Sequence, residues 1–133
     1  MKIFELPSEH GHLRGAIWDN VENPKGTIQI AHGLVEYHDR YDEFAKFLNE
    51  HGYIVYCNDH LGHGLHVKKG ELKGYFADEN GYEAVVDQLA EMNSVIRKAH
   101  PSLNHFFIGH SLGTALGIKK KKRNISFDAV ILS

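Results

Sequence analysis

His105-Phe106-Phe107-Ile108-Gly109-His110-Ser111-Leu112-Gly113 is the stretch that decides the fold. Residues 105–108 have the length and apolar, β-favouring character of a buried strand. Gly109-His110-Ser111-Leu112-Gly113 follows without a gap and has the form G-x-S-x-G. Beyond it, residues up to about Arg123 read as a short helix, with Leu112, Ala115, Leu116 and Ile118 available for burial. A strand that turns sharply into a helix brings the two backbones close together. The positions two before and two after the serine must then be small, as Gly109 and Gly113 are. Such a turn lifts the Ser111 hydroxyl clear of the sheet and makes it a candidate nucleophile. The amide of Leu112, at the helix start, points into the same space and can donate to a developing oxyanion. The pentapeptide alone is common; the strand before it and the helix after it give it meaning. The competing reading is a glycine-rich connection with an incidental serine.

Outward from this turn, the chain alternates strands and helices. Residues 2–7 and 12–19 read as two strands, and Asn23-Pro24-Lys25-Gly26 as a turn. Thr27-Ile28-Gln29-Ile30-Ala31 reads as a buried strand ending at His32-Gly33. Tyr41, Phe44, Phe47 and Leu48 recur at helical spacing, so residues 40–51 are expected to form an amphipathic helix stopped by Gly52. Residues 53–58 are a second buried strand. Asn80 and Glu83 form a capping box for a helix whose apolar face is Tyr82, Val85, Val86, Leu89, Met92 and Ile96. His100-Pro101 ends it, and residues 127–132 read as a last strand. Apolar strands alternating with amphipathic helices specify an α/β architecture: a mostly parallel sheet with helices on both faces and an antiparallel start.

A second turn bears on the chemistry. His32-Gly33-Leu34 also follows a buried strand. A loop in that place supplies the other oxyanion donor in such a fold, here the amide of Leu34. On this reading His32 and Gly33 shape the loop, and His32 is not the general base. Without Ser111, the same residues would read as an ordinary strand-ending turn.

His32-Gly33-Leu34-Val35-Glu36-Tyr37-His38 with Arg40-Tyr41 resembles the segment after the third strand in the monoacylglycerol lipase and lysophospholipase group of α/β hydrolases. Gly52-Tyr53-Ile54-Val55 and Asp59-His60-Leu61-Gly62-His63-Gly64 are similar to that group's next strand and loop, and residues 109–113 look like its nucleophile elbow. The resemblance runs over about residues 10–133. It implies a serine hydrolase of carboxylic esters that works on a lipid-like small molecule by two-step acyl transfer. Ser111 would be the nucleophile, the amides of Leu34 and Leu112 the oxyanion hole, and neither cofactor nor metal would be needed. Relatives of this fold that cleave epoxides or haloalkanes carry aspartate at the elbow, so serine favours esters, thioesters or amides. A peptidase of the proline-iminopeptidase kind has a similar elbow and is the rival within the class.

The fold orders its triad as Ser, then Asp or Glu, then His. Residues 114–133 contain one acid, Asp128, and no histidine. Asp128 sits at the start of its strand, the wrong end of the sheet. Residues 1–133 are therefore read as the N-terminal portion of a single α/β-hydrolase domain, truncated after the strand that follows the elbow helix. The triad acid, the triad histidine and the cap segment would lie elsewhere. As it stands the chain is expected to be inactive, and a non-catalytic remnant or binding protein is the rival from another class. His32, His63 and His110 are the in-chain candidates for a base, and nothing in their spacing makes any of them a triad member.

Composition narrows the rest. A net charge of −2 gives no electrostatic footprint for nucleic acid. Lys119-Lys120-Lys121-Lys122-Arg123 reads as a solvated face, although it departs from the apolar pattern expected of that helix. The one cysteine, Cys57, lies in an apolar run and reads as a buried thiol. The N-terminus lacks the pattern of a signal peptide, and no apolar run approaches the ~20 residues that span a bilayer. A cytoplasmic location without membrane insertion is the expectation; the oligomeric state is left open. His60, His63 and His66 are spaced like metal ligands but lie in a glycine loop without carboxylate or cysteine partners at ligand spacing, so no metal is expected.

Overall fold

The computed structural model describes residues 1–33, 37–60, 81–110 and 129–132. Within them the chain runs β1 (Lys2–Ser8), β2 (Gly11–Trp18), β3 (Gly26–Ala31), a 3-10 turn (His38–Tyr41), α1 (Asp42–Glu50), β4 (Tyr53–Asn58), α2 (Gly81–Ala99), β5 (Asn104–Gly109) and β6 (Ala129–Leu132). The strands form one sheet in the order β1-β2-β4-β3-β5-β6. β1 and β2 make an antiparallel hairpin, and β2 joins β4 antiparallel. From β4 onward all pairings are parallel. Pro7 sits inside β1, where an edge strand tolerates the missing N–H. The sheet is the α/β sheet that the alternating pattern requires.

Alternation along each strand sends neighbouring side chains to opposite faces. Val55 and Cys57 of β4 pack with Trp18, Ile28, Ile30 and the α1 residue Ala45. Ile54 and Tyr56 pack on the other face against Met92 and Ile96 of α2. The two helices therefore cover opposite faces. In α2 the expected stripe is buried: Val85, Val86, Leu89 and Met92 are fully enclosed and Ile96 nearly so. Asn80 and the side chain of Tyr82 lie outside the described residues.

The helix expected over residues 40–51 differs from the one observed. Its start is a 3-10 turn, and α1 proper begins at Asp42. The buried stripe is Tyr41, Ala45 and the half-buried Leu48, whereas Phe44 and Phe47 are 41% and 52% exposed. The reason is anchoring. Trp18 Nε1 donates to Asp42 Oδ1 at 3.0 Å, and Asn49 Nδ2 donates to the carbonyls of Trp18 and Tyr53 at 3.0 and 2.8 Å. These bonds turn the Ala45 side of the helix onto the sheet. Phe44 is left to line an open apolar cleft of about 370 Å³ beside Phe106, Ile108 and Ile131.

The strand order carries the functional consequence. After β3 the chain crosses through α1 to β4 on one side, then returns through α2 to β5 on the other. The direction of winding reverses between β3 and β5. A crevice opens outside the carboxyl ends of parallel strands at such a reversal, and it is where open α/β sheets bind ligands.

Close backbone approach fixes one position in β2. Gly15 pairs with Asn58. A Cβ there would lie 2.2 Å from the Cys57 carbonyl oxygen and 2.6 Å from the Asn58 Cα, both backbone atoms of a central strand. Gly15→Ala is expected to cost about 2–3 kcal/mol, because neither atom can retreat without breaking the β2–β4 ladder. The urea unfolding midpoint measures this; a loss below about 0.5 kcal/mol, the range of neutral surface changes, would show that β2 moves aside freely.

Candidate active site

The two turns singled out in the sequence leave the sheet side by side at this crevice. Ala31 and Gly109 are in register as the last paired residues of β3 and β5. The amide of His110 donates to the Ala31 carbonyl at 3.2 Å, one step beyond that pair. His32 and Gly33 leave β3 buried, Gly109 ends β5 buried, and His110 is exposed. The structure thus brings His32-Gly33 and Gly109-His110 together. Leu34, Ser111, Leu112, Gly113 and His63 lie outside the described residues, as do Asp128 and the basic run 119–123.

The end of β3 is held by a reciprocal pair. The backbone N–H of His60 donates to His32 Nε2 at 2.9 Å, and His60 Nε2 donates to the His32 carbonyl at 3.0 Å. Their rings lie 3.9 Å apart between centroids. Because His32 Nε2 accepts, its proton sits on Nδ1, which donates to the Gly33 carbonyl at 2.7 Å. Both ring nitrogens of His32 are engaged with backbone.

Six residues after His32, the 3-10 turn is held in a similar way. The His38 amide donates to Asp59 Oδ1 at 2.9 Å, and His38 Nδ1 lies 3.0 and 2.9 Å from the two carboxylate oxygens. Asp59 is fully buried and His38 is 4% exposed. The Asp59 amide in turn donates to the Arg14 carbonyl at 2.7 Å, which ties the arrangement to β2. His38 and Asp59 lie in the stretches that carry the family resemblance but are not among the site residues expected from the sequence. An acid directly after a buried strand was the available signal, since a carboxylate there needs donors.

Away from this cluster, hydrogen bonds from Lys46 and Trp18 hold the Asp42 carboxyl below its ordinary value. Burial pushes the His100 imidazole down. Among the described residues, Glu9, His10 and Asp87 bring possible metal-ligand atoms within 4.8 Å of one another. The hydrogen bond of 3.0 Å from His10 Nε2 to Asp87 Oδ2 accounts for their closeness. His60, one of the three spaced histidines, is spent on His32; His63 and His66 lie outside the described residues.

Sheet order, crossovers and paired turns define an α/β-hydrolase fold. A carboxyl esterase from Bacillus coagulans superposes with a TM-score of 0.89 at 24% identity, over 98% of this chain and 43% of that one. Residues 22–133 match the serine aminopeptidase S33 family, and the chain belongs to it. It is similar to the monoglyceride lipase of Rattus norvegicus, 30% identical over 86% of this chain and 36% of that protein. It is also similar to the monoglyceride lipase homolog of Monkeypox virus, 33% identical over 98% of this chain and 45% of that protein. The chain therefore spans less than half the length of these relatives.

Proposed function

We propose that the polypeptide carrying this segment hydrolyses carboxylic esters, with a monoacylglycerol or lysophospholipid as substrate and Ser111 as nucleophile. The observation that carries the reading is the pairing of the His32-Gly33 and Gly109-His110 turns at the winding reversal of an S33-family chain. Similarity to monoglyceride lipases supports the lipid ester.

In this mechanism Ser111 Oγ attacks the ester carbonyl while a histidine takes its proton. The amides of Leu34 and Leu112 receive the oxyanion, the alcohol leaves with the proton, and water then releases the acid. The base and its acid partner are assigned to residues outside 1–133, since no histidine follows Ser111 here and His32 has both nitrogens on backbone. His32 and Gly33 shape the loop, and Gly109 and Gly113 shape the elbow. The chemistry needs no metal or cofactor. A cytoplasmic site of action is proposed with it. Among the described residues no helix is long and apolar enough to cross a membrane. The family's description as serine aminopeptidases favours one second reading, a peptidase that cleaves after a leading proline.

A fluorophosphonate probe tests the assignment in the full polypeptide. Mass spectrometry is expected to find the adduct on Ser111, and a monoacylglycerol is expected to suppress labelling where a prolyl peptide does not. Suppression by the peptide alone would replace the lipase reading with the peptidase one. An adduct elsewhere, with Ser111 unmodified, would remove Ser111 as nucleophile.

A further inference from the structure

We infer that two consecutive residues at the carboxyl end of β4, Asp59 and His60, are positioning residues that clamp both ends of the connection from β3 to the 3-10 turn. The inference deepens the proposed function, because it rests on that connection supplying an oxyanion donor through Leu34.

The geometry is reciprocal and local. His60 grips the start of the connection through two hydrogen bonds to His32, one from its own amide and one from its ring. Asp59 grips the end through the amide and the ring of His38. Five residues, 33–37, lie between the grips. Both gripping residues are fully buried. Asp59 is joined to β2 through Arg14, so the clamp is referred to the sheet rather than to another loop. The sheet also carries the second turn, because His110 bonds the carbonyl of Ala31, the residue before His32. The separation between the two turns is set by the β3–β5 register and the His110 bond, and the Asp59-His60 dipeptide fixes where the first connection starts and finishes relative to them.

The chemical purpose follows from what an oxyanion donor must do. A backbone amide is useful only when it is already aimed at where charge develops, and misplacement by about 1 Å can cost ~100-fold. A five-residue connection held only by its covalent ends would sample many conformations. Grips on His32 and His38 fix where the connection starts and finishes before substrate arrives. Ordinary core packing would stabilise the fold without this directional effect on one segment.

The test uses the full polypeptide with Asp59→Asn, His38→Leu and His38→Asn. Asn at position 59 loses one acceptor oxygen at nearly unchanged volume. Asn at position 38 retains a side-chain N–H in place of Nδ1–H, whereas Leu does not. Amide hydrogen exchange over residues 33–38 is expected to speed up at least about tenfold in Asp59→Asn and His38→Leu, with β3 and α2 unchanged. The rate of Ser111 acylation is expected to fall about 10–100-fold with KM within about twofold, and His38→Asn is expected to recover most of both effects. Unchanged exchange over 33–38 would overturn the clamp. Faster exchange with an unchanged acylation rate would overturn its catalytic purpose. If the parent does not acylate at Ser111, the proposed function fails, and the exchange comparison still decides whether the clamp exists. Should Asp59→Asn not fold, the two variants at position 38 carry the same comparison.

Discussion

Ser111→Ala in the full polypeptide is expected to lower kcat for ester hydrolysis by about 10⁶-fold, the scale seen when a serine triad loses its nucleophile. The size follows from the mechanism. Without Oγ there is no acyl-enzyme, and the histidine base and oxyanion hole have no attacking atom to serve. What survives is binding plus oxyanion stabilisation of attack by water, a residual of about 10³–10⁴-fold over the uncatalysed rate. KM is expected to change little, because the hydroxyl contributes little to binding the ground state. Stability is expected to hold too, since removing one hydroxyl from the turn leaves Gly109, its register with Ala31 and the His110 bond in place. The checks are single-turnover release of p-nitrophenol from an activated ester, with thermal unfolding as a control. A folded Ser111→Ala protein that keeps more than one part in a hundred of the parent rate would require another nucleophile. The described alternative nearest the elbow is His110, which is exposed beside it.

The sequence carried most of the fold because local and tertiary signals agree along β3, β4 and β5. Each is an apolar run bounded by a turn, and each is paired on both edges in the structure. The α2 face was equally legible, since five of its six stripe residues are enclosed and the sixth lies outside the described side chains. In α1 the same periodicity misled. Phe44 and Phe47 have the spacing of a core face. The face actually seated is chosen by Asp42 and Asn49, whose bonds to Trp18 span 24 and 31 residues of the chain. Spacing within a helix cannot report such a partner. The site divides along the same line. The glycine turns are local and could be read directly. The Asp59-His38 and His60-His32 grips form only when β4 is laid beside β3, across 21 and 28 residues. Both ends lie in stretches that carry the family resemblance, but neither stretch shows which residue of the other it bonds, so this anchoring is visible only once the strands are paired.

That distinction between a loop's own residues and its anchors leads to the behaviour of Leu34→Pro. The donor assigned to Leu34 is its backbone N–H, so truncating the side chain should matter little and deleting the N–H should matter much. Proline removes that N–H. The expected loss is about 10²–10³-fold in kcat, or roughly 3–4 kcal/mol of transition-state stabilisation, as for other single oxyanion donors. Leu34→Ala, which keeps the N–H, is the control and should stay within about threefold, consistent with the small effect of changes that spare the developing charge. Proline also restricts the residue before it to extended conformations. That residue is Gly33, which tolerates a wider range of backbone angles than any other type. The anchors at His32 and His38 lie outside the substituted position, so both ends of the connection stay tied to His60 and Asp59. A loss in Leu34→Pro accompanied by faster hydrogen exchange over 33–38 would mean that the ring had dislodged the loop. A loss with exchange unchanged assigns the effect to the missing donor. Turnover by a folded Leu34→Pro protein equal to that of Leu34→Ala would remove Leu34 from the oxyanion hole and would leave the amide of Leu112 to stabilise the oxyanion with some other group.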